Sequence, residues 1–200
     1  MKSIVYSFIC LFAGLFVGSA NATLIDFDNL PGGGTLAANS VLTNQYSSLG
    51  VTFSATENAS SVSSTVINSF SPTDGNYWAN TTNGSFGPRH DILTMSFDNA
   101  VENVSWLTQS YGSLSITFNA YDLASNLLET ISTSGSWVST GFASSGISRI
   151  DALQPHDGWG WGLDNLSFDT MAVTVPEPSS ITLFSLGLIG LSLLRRKKQA

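Results

Sequence analysis

Between residues 23 and 174 the apolar residues do not recur at helical spacing; they alternate with polar ones in short runs. In Ser113 to Asp122, the clearest run, Leu114, Ile116, Phe118 and Ala120 share one parity, and Ser115, Thr117, Asn119 and Tyr121 the other. A period of two marks a strand with one buried and one wet face. Similar runs occupy Thr23 to Asp28, Gly50 to Ser54, Asp91 to Phe97, Val101 to Thr108, Asn126 to Thr133, Gly135 to Phe142, Ile147 to Leu153 and Gly162 to Asp169. Gly, Asn, Asp, Ser and Pro separate them, as turn chemistry requires. The pattern predicts an all-β domain of two packed antiparallel sheets, a jelly-roll-like β-sandwich, with a closed barrel as the alternative. Hairpins are expected about Asp98-Asn99-Ala100 and Leu123-Ala124-Ser125. Ser71 to His90, rich in Gly, Asn and Pro around Tyr77, Trp78 and Phe86, reads as a long loop, a length uncommon in a compact domain unless it binds something or is disordered.

The two ends have a different composition. Lys2 precedes an apolar run from Ile4 to Val17, and Gly18-Ser19-Ala20-Asn21-Ala22 follows with an Ala-x-Ala end. That is the layout of a secretory signal peptide over residues 1–22, cleaved after Ala22. At the other end, residues 175–200 hold Pro176-Glu177-Pro178, an apolar run from Ile181 to Leu194, and Arg195, Arg196, Lys197 and Lys198. Prolines end the preceding fold, the apolar run partitions into a bilayer, and the basic cluster stays on the cytoplasmic side. Ser179 to Leu194, a transmembrane helix by this reading, is sixteen residues, about 24 Å of helix against a hydrocarbon core of about 30 Å. So short a span suits temporary anchoring. One ectodomain, residues 23–174, lies between the ends.

This tripartite tail resembles the PEP-CTERM sorting signal of Gram-negative bacteria. The resemblance implies export, transient inner-membrane anchoring, processing by an exosortase, and a destination at the cell surface or in the extracellular matrix of an exopolysaccharide-producing cell, as in a biofilm. It covers the tail alone.

Of seven basic residues only Arg89 and Arg149 fall between the ends, against thirteen acidic ones, so the ectodomain carries a charge near −11 (2 − 13). Such a surface repels phosphate backbones and excludes nucleic acid as a natural partner. Neutral glycans and divalent cations are compatible with it, although acidity also serves solubility alone. The single cysteine, Cys10, lies in the signal, so the mature protein has no disulfide.

Two groups of residues carry candidate chemistry. Asp164 shares parity with Leu166 and Phe168, and an aspartate on an apolar face needs a reason. With Asp26 and Asp28 of the first strand it is a candidate structural Ca2+ site; the alternative is that it caps a turn. Tyr77, Trp78, Trp159 and Trp161 sit among glycines and polar residues and are candidate stacking platforms for sugar rings, with core packing as the alternative. Trp106 and Trp137 read as core. The Leu24-Ile25-Asp26-Phe27-Asp28 opening, Leu49-Gly50-Val51-Thr52-Phe53, and Gly162-Leu163-Asp164-Asn165-Leu166-Ser167-Phe168 look like the β-sandwich ectodomains of PEP-CTERM proteins and faintly like galactose-binding-like carbohydrate modules. That likeness implies a calcium role for Asp164 and the opening aspartates. Catalysis has little to stand on: His90 and His156 lie beside Asp91 and Asp157 without a serine elbow, a paired-histidine motif or a phosphate loop. The expectation is a non-enzymatic exported protein with a carbohydrate-binding ectodomain. The alternatives are a secreted glycan-active hydrolase acting through two carboxylates and a purely structural matrix protein.

Overall fold

A computed structural model describes residues 22–37, 40–57, 60–62, 64–68, 76–79, 91–110, 115–154 and 161–171. These residues are all-β. The strands are β1 (Ala22–Ile25), β2 (Val41–Leu42), β3 (Val51–Glu57), β4 (Ser60–Val62), β5 (Ser64–Asn68), β6 (Asn76–Ala79), β7 (Asp91–Ser110), β8 (Ile116–Tyr121), β9 (Leu127–Thr133), β10 (Val138–Gly141), β11 (Ile147–Leu153) and β12 (Trp161–Thr170). Every pairing among them is antiparallel, in the order β2-β5-β6-β12-β7-β11-β8-β9, with β1 beside β12, β10 beside β7, and β3 between β4 and β7. Among the described residues no helix is long and apolar enough to cross a membrane; the apolar run expected of a signal peptide, Ile4 to Val17, and that of the tail lie outside them.

The axis of the fold is β7. The hairpin expected about Asp98-Asn99-Ala100 does not form: Asp91 to Ser110 is one strand of twenty residues. Its first half lies between β3 and β11, its second between β12 and β10. Since β10 and β11 both pair with β7, Val138 to Leu153 follow it along nearly its whole length, and the amide of Phe142 donates to the Val104 carbonyl between them at 2.9 Å. The β10 backbone lies so close to β7 that a Cβ on Gly141 would collide with the Val104 carbonyl oxygen. Asp98 to Ala100, solvent-facing and bulged relative to β11, mark the point where β7 changes neighbours. The chain continues as strand there because Asp98 donates its amide to the Gly50 carbonyl at 2.9 Å.

Two asparagines reset the alternation. On β7, Leu93, Met95, Phe97 and Val101 are buried, and then Val104, Trp106 and Thr108, so the parity reverses at Asn103, whose φ is 54°. On β12 the same happens at Asn165, φ 51°, with register shifts on either side of Ser167. Each is a β-bulge: one extra residue in the left-handed region, which asparagine tolerates better than most non-glycine residues. The bulges keep one apolar face inward along both strands. Strand β8 needs no such device, since Ile116, Phe118 and Ala120 are buried in strict alternation and pair with β9 across the expected turn.

One core results. Ile25, Phe27, Tyr46, Phe53, Trp106, Phe118, Phe142, Trp161, Leu166 and Phe168 all belong to it. Within it, Phe27, Tyr46 and Phe53 pack edge to face in a mutual trio with centroids 5.9 to 6.1 Å apart. Trp106 packs on Phe118 and Phe142 at 4.7 and 5.1 Å. Edge-to-face pairs add about 0.5–1.5 kcal/mol each beyond their buried area. The segment read as a loop from Ser71 to His90 contains β6, which joins β5 to β12; the rest of it lies outside the described residues.

Candidate functional site

The opening turn places two of the aspartates. After β1 the chain turns at Phe27, which has φ 56° and is fully buried. The Asp26 carboxylate holds this turn: Oδ1 accepts the amides of Asp28 at 3.1 Å and Asn29 at 3.0 Å, and Oδ2 accepts the Asn29 side-chain amide at 2.8 Å. Partial burial works to raise its pKa, but these three donors outweigh it and hold the carboxyl below the usual carboxylate range. Tyr46 lies close by. Burial, and after it the negative charges of Asp26 and Asp28, push its phenol far above the usual value, so it stays neutral; its hydroxyl has no hydrogen-bond partner among the described residues.

Asp164 is buried, but parity across Asn165 misplaces it. It pairs with Leu107, whereas Leu163 pairs with the buried Thr108, and past the bulge Ser167 pairs with Ser105. Asp164 therefore lies on the opposite face of β12 from Leu166 and Phe168. Its Oδ1 accepts the Asn165 amide at 2.7 Å within the bulge. Among the described residues no three or more His, Cys, Asp or Glu side chains form a group that could hold a metal ion, so Asp26, Asp28 and Asp164 are not brought together as one cluster. The Asp26 oxygens are turned to backbone and amide donors of their own loop.

The acid in this turn gives a pH prediction. A carboxyl whose pKa is lower folded than unfolded adds stability above the unfolded value, about 3.9, and loses it as pH falls through the folded one. Asp26→Asn should therefore melt below the wild type at pH 7, by roughly 1–3 °C for a solvent-screened group. Thermal melts of the two proteins should converge as the pH is taken down through the folded value.

The aromatic candidates divide. Trp161 is a core residue with no exposed surface, packed edge to face on Phe118 at 5.8 Å, so neither face of its indole is open to a sugar ring. This corrects its reading as a stacking platform: β12 runs between β6 and β7, and its first four residues are buried on both faces. Trp106 is core as expected, and Trp137 is half-buried with φ 47°. Tyr77 and Trp78 lie on β6, Trp78 opposite Leu163; their side chains, like Trp159, His90, His156 and Asp157, lie outside the described residues.

Other carboxylates hold structure together. The Asp122 carboxylate accepts the amide and the side chain of Asn126, both at 2.8 Å, and these bonds, led by the side-chain one, hold its pKa below the usual range. Glu129 accepts the Ala143 and Ser144 amides at 3.0 and 2.8 Å, tying β9 to the segment between β10 and β11. Asp151 accepts the Thr94 hydroxyl at 2.9 Å and faces the Arg149 Nε at 3.4 Å, and Asp169 accepts the Asn103 side chain across the paired bulges at 2.8 Å.

The last described strand ends at Thr170, and the Met171 amide donates to Ala100 at 2.9 Å. Three residues later a match begins to the PEP-CTERM protein-sorting motif, covering residues 174–198. The chain carries a PEP-CTERM sorting motif. The motif marks an exported protein with a membrane-associated sorting signal, and it agrees with Pro176-Glu177-Pro178, the apolar run and the basic end. No curated protein matches this chain. Among solved structures it is similar to a family 29 carbohydrate-binding module mutant complexed with mannohexaose, at 13% identity and TM-score 0.41 over 76% of this chain and 94% of the other. A second mutant of that module has 12% identity and TM-score 0.38, covering 78% of this chain and 99% of that one. An adhesin domain of Lys-gingipain from Porphyromonas gingivalis has 14% identity and TM-score 0.30, over 76% and 92%.

Proposed function

We propose that this chain is an exported Gram-negative protein that an exosortase processes through its PEP-CTERM tail, and that its ectodomain acts without catalysis at the cell surface or in the exopolysaccharide matrix. The observation that carries the proposal is the motif at residues 174–198, starting within four residues of the last strand. Signal peptide, membrane span and basic stop then act in sequence, and the mature chain lacks Arg195 to Lys198. The non-catalytic reading draws support from the carboxylates of Asp26, Asp122, Glu129, Asp151, Asp164 and Asp169, each engaged in a structural hydrogen bond. In the same reading the two flanks of β7 form the facing sheets of a jelly-roll-like sandwich.

The ligand class proposed for the ectodomain is a neutral glycan. Its support is the acidic charge, which disfavours anionic polymers, and the glycine-neighboured aromatics Tyr77, Trp78 and Trp159. A glycan array probed with the secreted chain should show binding to neutral polysaccharide that falls at least tenfold in Trp159→Ala. Silence of the wild type across the array would leave the purely structural matrix protein as the better reading.

A further inference from the structure

A row of hydrogen-bonding side chains crosses five strands on the outside of the fold. Ser54 on β3 pairs with Thr94 on β7, Thr94 with Asp151 on β11, Asp151 with Asn119 on β8, and Asn119 with Thr130 on β9. Their chain neighbours Phe53, Met95, Ile150 and Phe118 are buried, so by alternation the row faces outward. Four strand spacings make it about 19 Å long.

Cross-strand bonds hold the row in place. The Thr94 hydroxyl donates to Asp151 Oδ1 at 2.9 Å, the Arg149 Nε lies 3.4 Å from the same oxygen, and the Thr130 hydroxyl donates to Asn119 Oδ1 at 2.8 Å. All of these contacts use Oδ1. The second carboxylate oxygen of Asp151 and the side-chain N–H groups of Asn119 have no hydrogen-bond partner among the described residues. Directly paired residues on one face have Cβ atoms about 5 Å apart, so an acceptor and a donor stand side by side at the centre of the row. Side chains already held this way lose little freedom when a ligand arrives, which lowers the cost of binding.

Charge and chemistry together indicate the ligand. In this row and the rows to either side of it, the charges among the described residues are Arg149 and Asp151, which offset each other. The domain as a whole is near −11 (2 − 13). A neutral face on an acidic domain is complementary to an uncharged partner, because the domain repels an anionic one and the acids elsewhere draw a cationic one away. A carboxylate oxygen beside an amide matches adjacent hydroxyls of a sugar: one donates to the carboxylate and the next accepts from the amide. Tyr121, two residues along β8 on the same face and so about 7 Å from Asn119, adds an aromatic ring that the Arg149 guanidinium holds from 4.2 Å above. An aromatic side chain there offers apolar contact to the C–H groups of a sugar whose hydroxyls the row engages.

We infer that this outward row, with Tyr121 beside it, is a binding face for a neutral polysaccharide, on which Asp151 and Asn119 engage adjacent hydroxyls of one sugar residue. The inference rests on the neutral-glycan reading and gives it a contact beyond Tyr77, Trp78 and Trp159. To test it, the secreted chain and its Asn119→Ala and Asp151→Asn variants are applied to an array of immobilised galactomannan, xyloglucan, dextran and starch. The wild type should bind, and each variant should bind about tenfold more weakly, the worth of one hydrogen bond to a charged or fixed polar group, with the wild-type near-ultraviolet circular dichroism retained. Asp151→Asn keeps an acceptor for Thr94, so it reports on the ligand even if Asn119→Ala disturbs the sheet. Wild-type binding that both variants retain in full overturns the face and leaves the glycan reading standing. Silence of the wild type across the array overturns both. Retained binding with a light-scattering mass that falls from dimer to monomer in Asn119→Ala gives the face to a second copy of the chain, and likewise overturns the site.

Discussion

Trp161→Ala is expected to destabilise the ectodomain by about 3–5 kcal/mol, the usual cost of emptying a buried tryptophan site. For a domain of this size that lowers Tm by roughly 10–15 °C. Trp161 opens β12 opposite Ser110, has no exposed surface, and sits edge to face against Phe118, which in turn packs on Trp106. Its removal leaves a cavity against Phe118, with β8 held by its pairing to β11 and β12 by its pairing to β7. Trp161→Phe should recover most of the loss, since it keeps an aromatic edge against Phe118. A tryptophan that served ligand stacking would give the opposite pattern, with an unchanged melt and weakened binding in both variants.

The second large effect concerns the tail. The PEP-CTERM match covers residues 174–198, and the described β-network closes before them: β12 finishes at Thr170, and its last partners are Val101 and, through Asp169, Ala22. Cleavage within the tail is therefore expected to release a domain whose thermal stability is that of the precursor. Replacing Pro176, Glu177 and Pro178 together by alanine should stop processing almost completely while leaving that stability unchanged. A signal that acts by recognition has this profile, whereas a segment that packs on the domain would lower the melt when altered.

Much of the fold was legible from alternation alone. Ser113 to Asp122 contains β8 with the expected buried face, and Asn126 to Thr133 contains β9. The reading failed where parity is reset. Asp164 was assigned the face of Leu166 and Phe168 because Asn165 was counted as an ordinary strand residue, and its positive φ reverses the pleat. Asn103 does the same on β7 and donates its side-chain amide to the Asp169 carboxylate across the strand pair. Glu102-Asn103-Val104-Ser105 and Asp164-Asn165-Leu166-Ser167 are nearly the same tetrapeptide in matching roles, and that similarity was the available signal.

The false hairpin at Asp98-Asn99-Ala100 has a different cause. Three turn-forming residues in a row are the right chemistry for a reversal, but the Gly50 carbonyl and the long β10–β11 partner hold the chain extended through them. Such tertiary pairing is invisible to a local window. Trp161 likewise looked exposed because of its glycine neighbours, and only the position of β12 between β6 and β7 shows that both its faces are covered. The sorting motif of the tail was legible because it is a contiguous local pattern of residues that needs no partner to be read.

Mass spectrometry of the mature protein, purified from the surface fraction of a host with an active exosortase, tests the central claim most directly. The account predicts a chain that begins at Thr23 and lacks Arg195, Arg196, Lys197 and Lys198. Finding that basic cluster on most of the mature protein would contradict it.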